Sequence, residues 1–328
     1  MKEYIIRKII TKGNFKYYNK EGVEIRDDNY IKYLIKGIYI APAYNNVKIN
    51  LNKKDKILAI GYDNKERPQY IYNKEYISKQ ADKKFNHMVQ FGKKYNKINK
   101  CINNDLYSIA DTKEKQIAMI LKLIMDCNFR IGNDQYSKKN KSYGTTTLEQ
   151  QHIKINKKNV TIDFIGKKKI RNICTIKNKK IIKTLKEKKK SLSKHDRIFS
   201  YRIGRKYYNI KSTDVNKYLK KFGPFSAKNF RTWGANVEFI TSLLKRSKYC
   251  EKFNKKEIKN VIKLSIRDVS KKLHNTESVC KKNYLDPELI KYFNVDCEGF
   301  LNNFYFKNTD RYNREDISKK YIEFLENI

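Results

Sequence analysis

Proline and glycine are scarce in this 328-residue chain, at 4 and 12 residues, and no flexible low-complexity linker divides it. Histidine occurs only four times, each far from the next, which argues against a zinc site. No other cofactor is expected. No stretch approaches the roughly 18–20 consecutive apolar residues of a membrane-spanning helix. The run Ile117-Ala118-Met119-Ile120-Leu121 ends at Lys122, which suits a buried amphipathic helix and no membrane partner. The opening Met1-Lys2-Glu3-Tyr4-Ile5-Ile6-Arg7 puts charges where a secretion signal needs an apolar run, so secretion is not expected. Six cysteines (Cys101, Cys127, Cys174, Cys250, Cys280, Cys297) lack any C-x-x-C spacing and are expected as reduced thiols in a cytosol-like compartment. Acidic residues are the last shortage, 34 against 75 lysines and arginines, for a formal net charge of +41.

What is present is a folded protein. Hydrophobic residues make up 39% and aromatics 13%, too many for a disordered chain. A compact body carrying that charge repels itself unless it meets a polyanion, and nucleic acid is the natural candidate. Lys, Asn, Ile and Tyr dominate, as an AT-rich coding genome would produce, so part of the charge reflects mutational bias.

The patterning predicts an α+β fold with two parts. Residues 1–77 read as a small β-rich domain, with apolar alternation at Tyr4–Thr11, Ile38–Ala41, Val47–Leu51, Ile57–Tyr62 and Gln69–Tyr72. Residues 78–328 read as a larger, mainly helical domain. Ala81, Phe85, Met88 and Val89 fall on one helical face, with Ser78 as the expected N-cap and Gly92 as a weak point or end. A second helix is expected from Asp111 to Met125, and others near 179–192, 213–222, 226–246 and 256–273. Val160–Ile165 and Ile170–Ile176 read as two strands joined by Gly166-Lys167-Lys168-Lys169, a hairpin with lysines at its tip. Leu289, Ile290 and Phe293 also have helical spacing.

Four segments carry chemistry in chain order: Phe129-Arg130-Ile131-Gly132, Phe164-Ile165-Gly166-Lys167, Phe230-Arg231-Thr232-Trp233-Gly234, and Asn275-Thr276-Glu277-Ser278-Val279-Cys280-Lys281-Lys282-Asn283-Tyr284. Phosphodiester transfer without a metal needs a nucleophile, cations for the non-bridging oxygens and an acid for the departing 5′ oxygen. Tyr, Arg and Lys supply these at neutral pH. Together and in order, these segments resemble the poxvirus-type, or type IB, DNA topoisomerases over about residues 56–290. The resemblance implies that Tyr284 attacks phosphorus to form a 3′-phosphotyrosyl link. It implies that Arg130 and Arg231 hold the scissile phosphate and that Lys167 protonates the 5′ oxygen. Neither ATP nor a metal would be required. Poxvirus members have a histidine nine residues before the tyrosine, where this chain has Asn275, with His274 beside it. An amide N–H can still donate to a phosphate oxygen.

In the first part, Arg67-Pro68-Gln69-Tyr70-Ile71-Tyr72 resembles the poxvirus segment that reaches bases in the groove, and Tyr136 matches a family DNA-contact position. Arg67, Gln69, Tyr70, Tyr72 and Tyr136 are the DNA-binding residues so implied. Asn133 stands where poxvirus enzymes have lysine, so their site preference does not carry over. The resemblance also implies a monomer whose two domains close on double-stranded DNA as a C-shaped clamp. With the AT-rich composition it implies a large DNA virus, with the protein in the virion or at a cytoplasmic replication site, a bacterial cytoplasm being the alternative.

Blander readings compete. Tyr284 is one of 25 tyrosines, and only its place in the ordered set distinguishes it. Lysine runs are usually solvated faces or phosphate contacts, and Lys167 differs from Lys168 and Lys169 only in following Gly166. Trp233, the sole tryptophan, is expected in the core beside Arg231, and Gln69–Tyr72 reads equally as a strand with one wet face. Two rival functions remain at this level. A tyrosine recombinase would show H-x-x-R where this chain has Lys228-Asn229-Phe230-Arg231, and a helical rather than β-rich first domain. A non-catalytic architectural DNA-binding protein would explain the charge but not the ordered residues.

Overall fold

A computed structural model describes residues 1, 3–11, 13–156, 159–248, 254–304 and 313–327, apart from the side chains at 81, 82, 84 and 85. The chain forms two compact units, Met1–Asn86 and His87–Ile328. The division expected after residue 77 falls inside the long helix that joins them.

The first unit is built on one antiparallel sheet. In chain order its strands are β1 (Tyr4–Thr11), β2 (Asn14–Tyr18), β3 (Glu24–Ile25), β4 (Asn45–Asn50), β5 (Ile57–Tyr62) and β6 (Pro68–Tyr72). In space the order is β3-β2-β1-β4-β5-β6. The register aligns Ile5 with Ile49, Ile49 with Ala59 and Ala59 with Ile71, so one apolar row crosses four strands. Helix α1 (Asp28–Ile35) covers that row with Leu34. Neither α1 nor β2 and β3 was expected. Asp27 starts α1 by accepting from the Asn29 and Tyr30 N–H groups, a carboxylate N-cap. The segment Ile38–Ala41, expected as a strand, is not one. The buried Arg7 guanidinium donates to the carbonyls of Ala41 (2.9 Å) and Tyr44 (3.1 Å), acceptors a ladder would need, and Pro42 has no N–H to give.

The second unit is mainly helical. Helix α2 (Lys74–Tyr107) begins four residues before the expected cap Ser78 and runs straight through Gly92. Asn73 is the residue that receives the Glu75 N–H, at 2.8 Å. Gly92 is a clearance and not an end: a Cβ there would lie 2.7 Å from the Trp233 ring. Of the predicted helical face, Met88 is buried and Val89 half-buried, while the Ala81 and Phe85 side chains lie outside the described residues. Helix α3 (Lys113–Cys127) is capped by Thr112, and α4 (Asp134–Asn140) by Asn133. A three-stranded antiparallel sheet follows, β7 (Ile153–Asn156), β8 (Asn159–Ile165) and β9 (Arg171–Ile176). Then come α5 (Lys179–Ser191), a ribbon of β10 (Ser200–Ile203) and β11 (Lys206–Asn209), α6 (Ser212–Lys220) and α7 (Ala227–Ser247). The chain finishes with α8 (Lys255–Leu273), α9 (Glu277–Asn283), α10 (Pro287–Val295), α11 (Cys297–Asn303) and α12 (Arg314–Glu326). Helix α7 is the spine: fifteen of its residues are buried, and it packs on α3, α8 and α12. Trp233 is 1% exposed within it, the core role expected of it.

The cysteine expectation is corrected here. Cys127, the last residue of α3, and Cys174, on β9, form a disulfide, their Cα atoms 5.7 Å apart. Cys101 and Cys280 are free thiols, and Cys250 lies outside the described residues. Among the described helices none is long and apolar enough to cross a membrane.

Candidate active site

Arg130 follows the end of α3. Asn128 takes a left-handed conformation (φ 54°) as the C-cap, and Phe129 is fully buried against Phe164, with ring centroids 4.8 Å apart. The chain then runs beside a turn that the sequence did not flag, Gly144-Thr145-Thr146-Thr147. Thr145 donates both its N–H (2.8 Å) and its hydroxyl (3.0 Å) to the Arg130 carbonyl, and Thr146 does the same for Ile131. A Cβ on Gly144 would lie 2.5 Å from the Gly132 backbone, so only glycine permits this approach. Arg197, also unflagged, ties the turn to α4 by donating to Thr146 O (3.1 Å) and Asp134 Oδ1 (3.0 Å).

Four residues named from the motifs meet in space. Arg130 donates to Asn275 Oδ1 at 2.5 Å across 145 residues of sequence. Arg231, on the first turns of α7, is 3% exposed and donates to the Leu273 carbonyl at 3.1 Å. Its guanidinium carbon lies 5.4 Å from the centroid of the Tyr284 ring. Tyr284 caps α9 and is 8% exposed. Burial is the largest influence on its hydroxyl and opposes ionisation. Arg231, Arg130 and Asn275 together outweigh it and hold the phenol below its ordinary range. Burial likewise makes the Arg231 cation less favourable than in water.

Among the described residues, three buried donors at this centre meet no acceptor in hydrogen-bond geometry, Arg231 Nε, Arg231 Nη1 and Asn275 Nδ2, although Arg231 and Asn275 both act on the Tyr284 hydroxyl. Leaving such groups unmet costs on the order of 1–3 kcal/mol each, more when charged. An anion bearing several acceptor oxygens would satisfy them together. His274 lies just outside. It is the left-handed C-cap of α8 (φ 51°), its ring stands near Phe129, and burial followed by repulsion from Arg231 and Arg130 keeps it neutral at lower pH than usual.

Asn236 was missed from sequence. It is fully buried one turn beyond Arg231 and brackets the tyrosine backbone. Its Nδ2 donates to Tyr284 O (3.1 Å) and its Oδ1 accepts from Asp286 N–H (2.8 Å). A lone amide within Ala235-Asn236-Val237, on an otherwise apolar helix face, was the available signal.

Lys167 stands apart. It is exposed at the hairpin tip beside Lys168 and Lys169, both at positive φ (62° and 59°), and its ammonium group has no hydrogen bond or ion pair among the described residues. The hairpin itself is braced by Asp163. It accepts from Arg171 and Lys154 on the flanking strands, Arg171 foremost in holding its carboxyl far below the usual range.

In the first unit the alternation of β6 separates the implied base-reading residues. Tyr70 and Tyr72 share its exposed face, and their rings stack onward to Tyr76 at 6.2 and 5.7 Å. Gln69 lies on the other face with Ile71. There its Nε2 donates to Asp63 Oδ2 (3.1 Å), the oxygen that also takes Arg67 Nε and Nη2 (2.9 and 2.6 Å). In the second unit Tyr136 is 59% exposed on α4. Asn133 receives the Gln135 N–H at 2.8 Å and so begins that helix as its N-cap. Among the described residues there is no cluster of three or more His, Cys, Asp or Glu able to hold a metal.

The family model described as "Eukaryotic DNA topoisomerase I, catalytic core" matches residues 73–294. "DNA topoisomerase 1B" of Acanthamoeba polyphaga mimivirus is 32% identical over 297 residues, covering 88% of this chain and 87% of that protein. "DNA topoisomerase I" of monkeypox virus and "DNA topoisomerase 1B" of vaccinia virus (strain Copenhagen) are 25% and 24% identical over 237 residues, 72% of each chain. The matched stretch holds Arg130, Lys167, Arg231, Asn275 and Tyr284, and the chain belongs to the type IB DNA topoisomerase family.

Proposed function

We propose that this chain relaxes supercoiled duplex DNA by cutting and resealing one strand through Tyr284. The carrying observation is the set of unpartnered buried donors, Arg231 Nε and Nη1 with Asn275 Nδ2, gathered around a tyrosine whose hydroxyl is acidified by cations. A scissile phosphate placed there receives these donors and Arg130 on its non-bridging oxygens, where charge accumulates in the pentacoordinate transition state. Tyr284 Oη forms a bond to phosphorus as the bond from phosphorus to the 5′ oxygen breaks. The phenolic proton leaves to solvent, and Lys167 delivers a proton to the departing 5′ oxygen when the DNA backbone reaches the hairpin tip. The broken strand rotates about the intact one. The free 5′ hydroxyl then attacks the phosphotyrosine and restores both groups. Bond energy is conserved in the phosphotyrosine, so the cycle calls for neither nucleotide hydrolysis nor a metal.

Tyr70, Tyr72, Arg67, Gln69 and Tyr136 are the groups proposed to touch the duplex, through stacking and groove contacts. The protein would act as a monomer on any supercoiled duplex. Its likeness to viral relatives favours action in a virion or at a cytoplasmic replication site of a large DNA virus.

The test is relaxation of supercoiled plasmid in EDTA without ATP, comparing the wild-type protein with Tyr284→Phe. Relaxation by the first and none by the second is expected. If the phenylalanine variant still relaxes DNA, the nucleophile is another residue. If the wild-type protein binds the plasmid but leaves it supercoiled, the phosphotyrosine mechanism is wrong.

A further inference from the structure

The matched catalytic core ends at residue 294, yet the chain continues into α11 and α12. On α12, Tyr321 is fully buried. Its ring lies 4.8 Å from that of Trp233, two residues after Arg231. Its hydroxyl donates to Asp286 Oδ2 at 3.2 Å, two residues after Tyr284. Asp286 is 2% exposed. Its other oxygen receives the Glu288 N–H (3.0 Å), and its own N–H goes to Asn236 (2.8 Å). One turn earlier on α12, Ser318 Oγ receives the Trp233 indole N–H at 3.4 Å. One side of α12 therefore grips both the helix of Arg231 and the segment that follows Tyr284.

We infer that Tyr321 is a positioning residue for strand cleavage, its hydroxyl fixing Asp286 and through it the attack geometry of Tyr284. The inference rests on Tyr284 being the nucleophile. A hydrogen bond between a buried phenol and a buried carboxylate is strong in a medium of low polarity. The residue it holds is separated from the nucleophile by Leu285 alone, which is 1% exposed and cannot absorb a shift. Misplacing a reacting atom by about 1 Å costs on the order of a hundredfold in rate. A smaller displacement, with the ring still packed on Trp233, corresponds to about tenfold. Tyr284 is nucleophile in cleavage and leaving group in religation, so both directions slow together.

The experiment compares Tyr321→Phe, which keeps the ring, with Ser318→Ala, which loosens the same helix without touching Asp286. Rapid-quench measurement of covalent adduct on supercoiled plasmid gives cleavage, and reversal of the adduct by added salt gives religation. Gel shift gives DNA affinity, and near-UV circular dichroism confirms that each variant is folded at the assay temperature. Tyr321→Phe is expected to lower both rates by about tenfold with affinity unchanged, while Ser318→Ala stays within about twofold of wild type. Wild-type rates for Tyr321→Phe overturn the inference, and so does an equal loss in Ser318→Ala, which would mark a merely structural helix. Absence of any adduct in the wild-type protein, or an adduct on another tyrosine, overturns the parent mechanism and this inference with it.

Discussion

The two units of this chain treat the same side chains in opposite ways. Among the described side chains of residues 1–86 no aromatic is fully buried: Tyr33, Tyr39, Tyr70 and Tyr72 are exposed, Tyr17 and Tyr44 only flank the core, and that core is the small cluster of Ile5, Leu34, Val47, Ile49 and Ala59. In residues 87–328 aromatics such as Phe91, Phe129, Phe230, Trp233 and Tyr321 help make the core, and a cation is buried among them, Arg231 at 3% exposure beside Tyr284. Arg67 in the first unit is solvated and paired with a carboxylate; Arg231 is desolvated, with two donor nitrogens unmet among the described residues. Burying a charge is costly: Arg7 in the first unit meets that cost with two backbone carbonyls, and Arg231, with one, leaves two nitrogens for a ligand or a transition state. Groups that recognise a surface stay wet and are held by neighbours such as Asp63.

That contrast can be broken most directly by matched arginine variants. Arg231→Ala is expected to lower the cleavage rate by on the order of 10²–10³ with little change in DNA affinity, whereas Arg67→Ala weakens binding and lowers the salt slope by about one, with cleavage of bound DNA intact. Single-turnover cleavage and binding across salt concentrations separate the two; similar defects in both variants would sink the distinction. The hairpin tip comes next. Lys167→Ala is expected to slow cleavage by about 10²–10⁴, and Lys168→Gly, which also removes a left-handed side chain, to leave cleavage near wild type. Equal losses would mean that the run serves only as a phosphate contact.

A subtler difference concerns pH. Because cations hold the Tyr284 hydroxyl below its usual range, cleavage should rise with pH through a midpoint below 10, and Arg130→Ala should move that midpoint upward. An unmoved midpoint in the pH–rate profile would detach Arg130 from the tyrosine. Smallest of all is Asp63. Its carboxyl is held at about 2, first by Arg67, so its contribution to stability is present above the unfolded value near 3.8 and is lost as pH falls through about 2. Asp63→Asn should leave relaxation at pH 7 nearly unchanged while altering which sequences are cleaved, as read by mapping adducts on a plasmid. An unchanged cleavage map would make Asp63 a turn residue only.

Much of this was legible because local patterns sufficed. Strands Tyr4–Thr11 and Ile57–Tyr62 declare themselves by alternation, and α8 by an apolar stripe from Ile258 to Leu273. The α1 helix hid because only Ile31 and Leu34 of its eight residues are buried. Ile38–Ala41 alternates as a strand would, but its Ala41 carbonyl is claimed by Arg7 from 34 residues away and Pro42 follows without an N–H. In the site, Arg130, Arg231, Asn275 and Tyr284 sit in recognisable segments. Asn236, Thr145 and Arg197 act on backbone carbonyls brought close only by folding, and no local spacing announces that. The Cys127–Cys174 pair, 47 residues apart, is hidden for the same reason.

That disulfide closes a covalent ring of chain, and the ring contains Arg130, Tyr136 and Lys167. A protease that nicks the backbone once anywhere between residues 128 and 173 cannot separate the pieces, because they stay joined through sulfur. The nicked protein should migrate as one species until a reductant is added and then fall apart into two, each retaining one of the two cysteines.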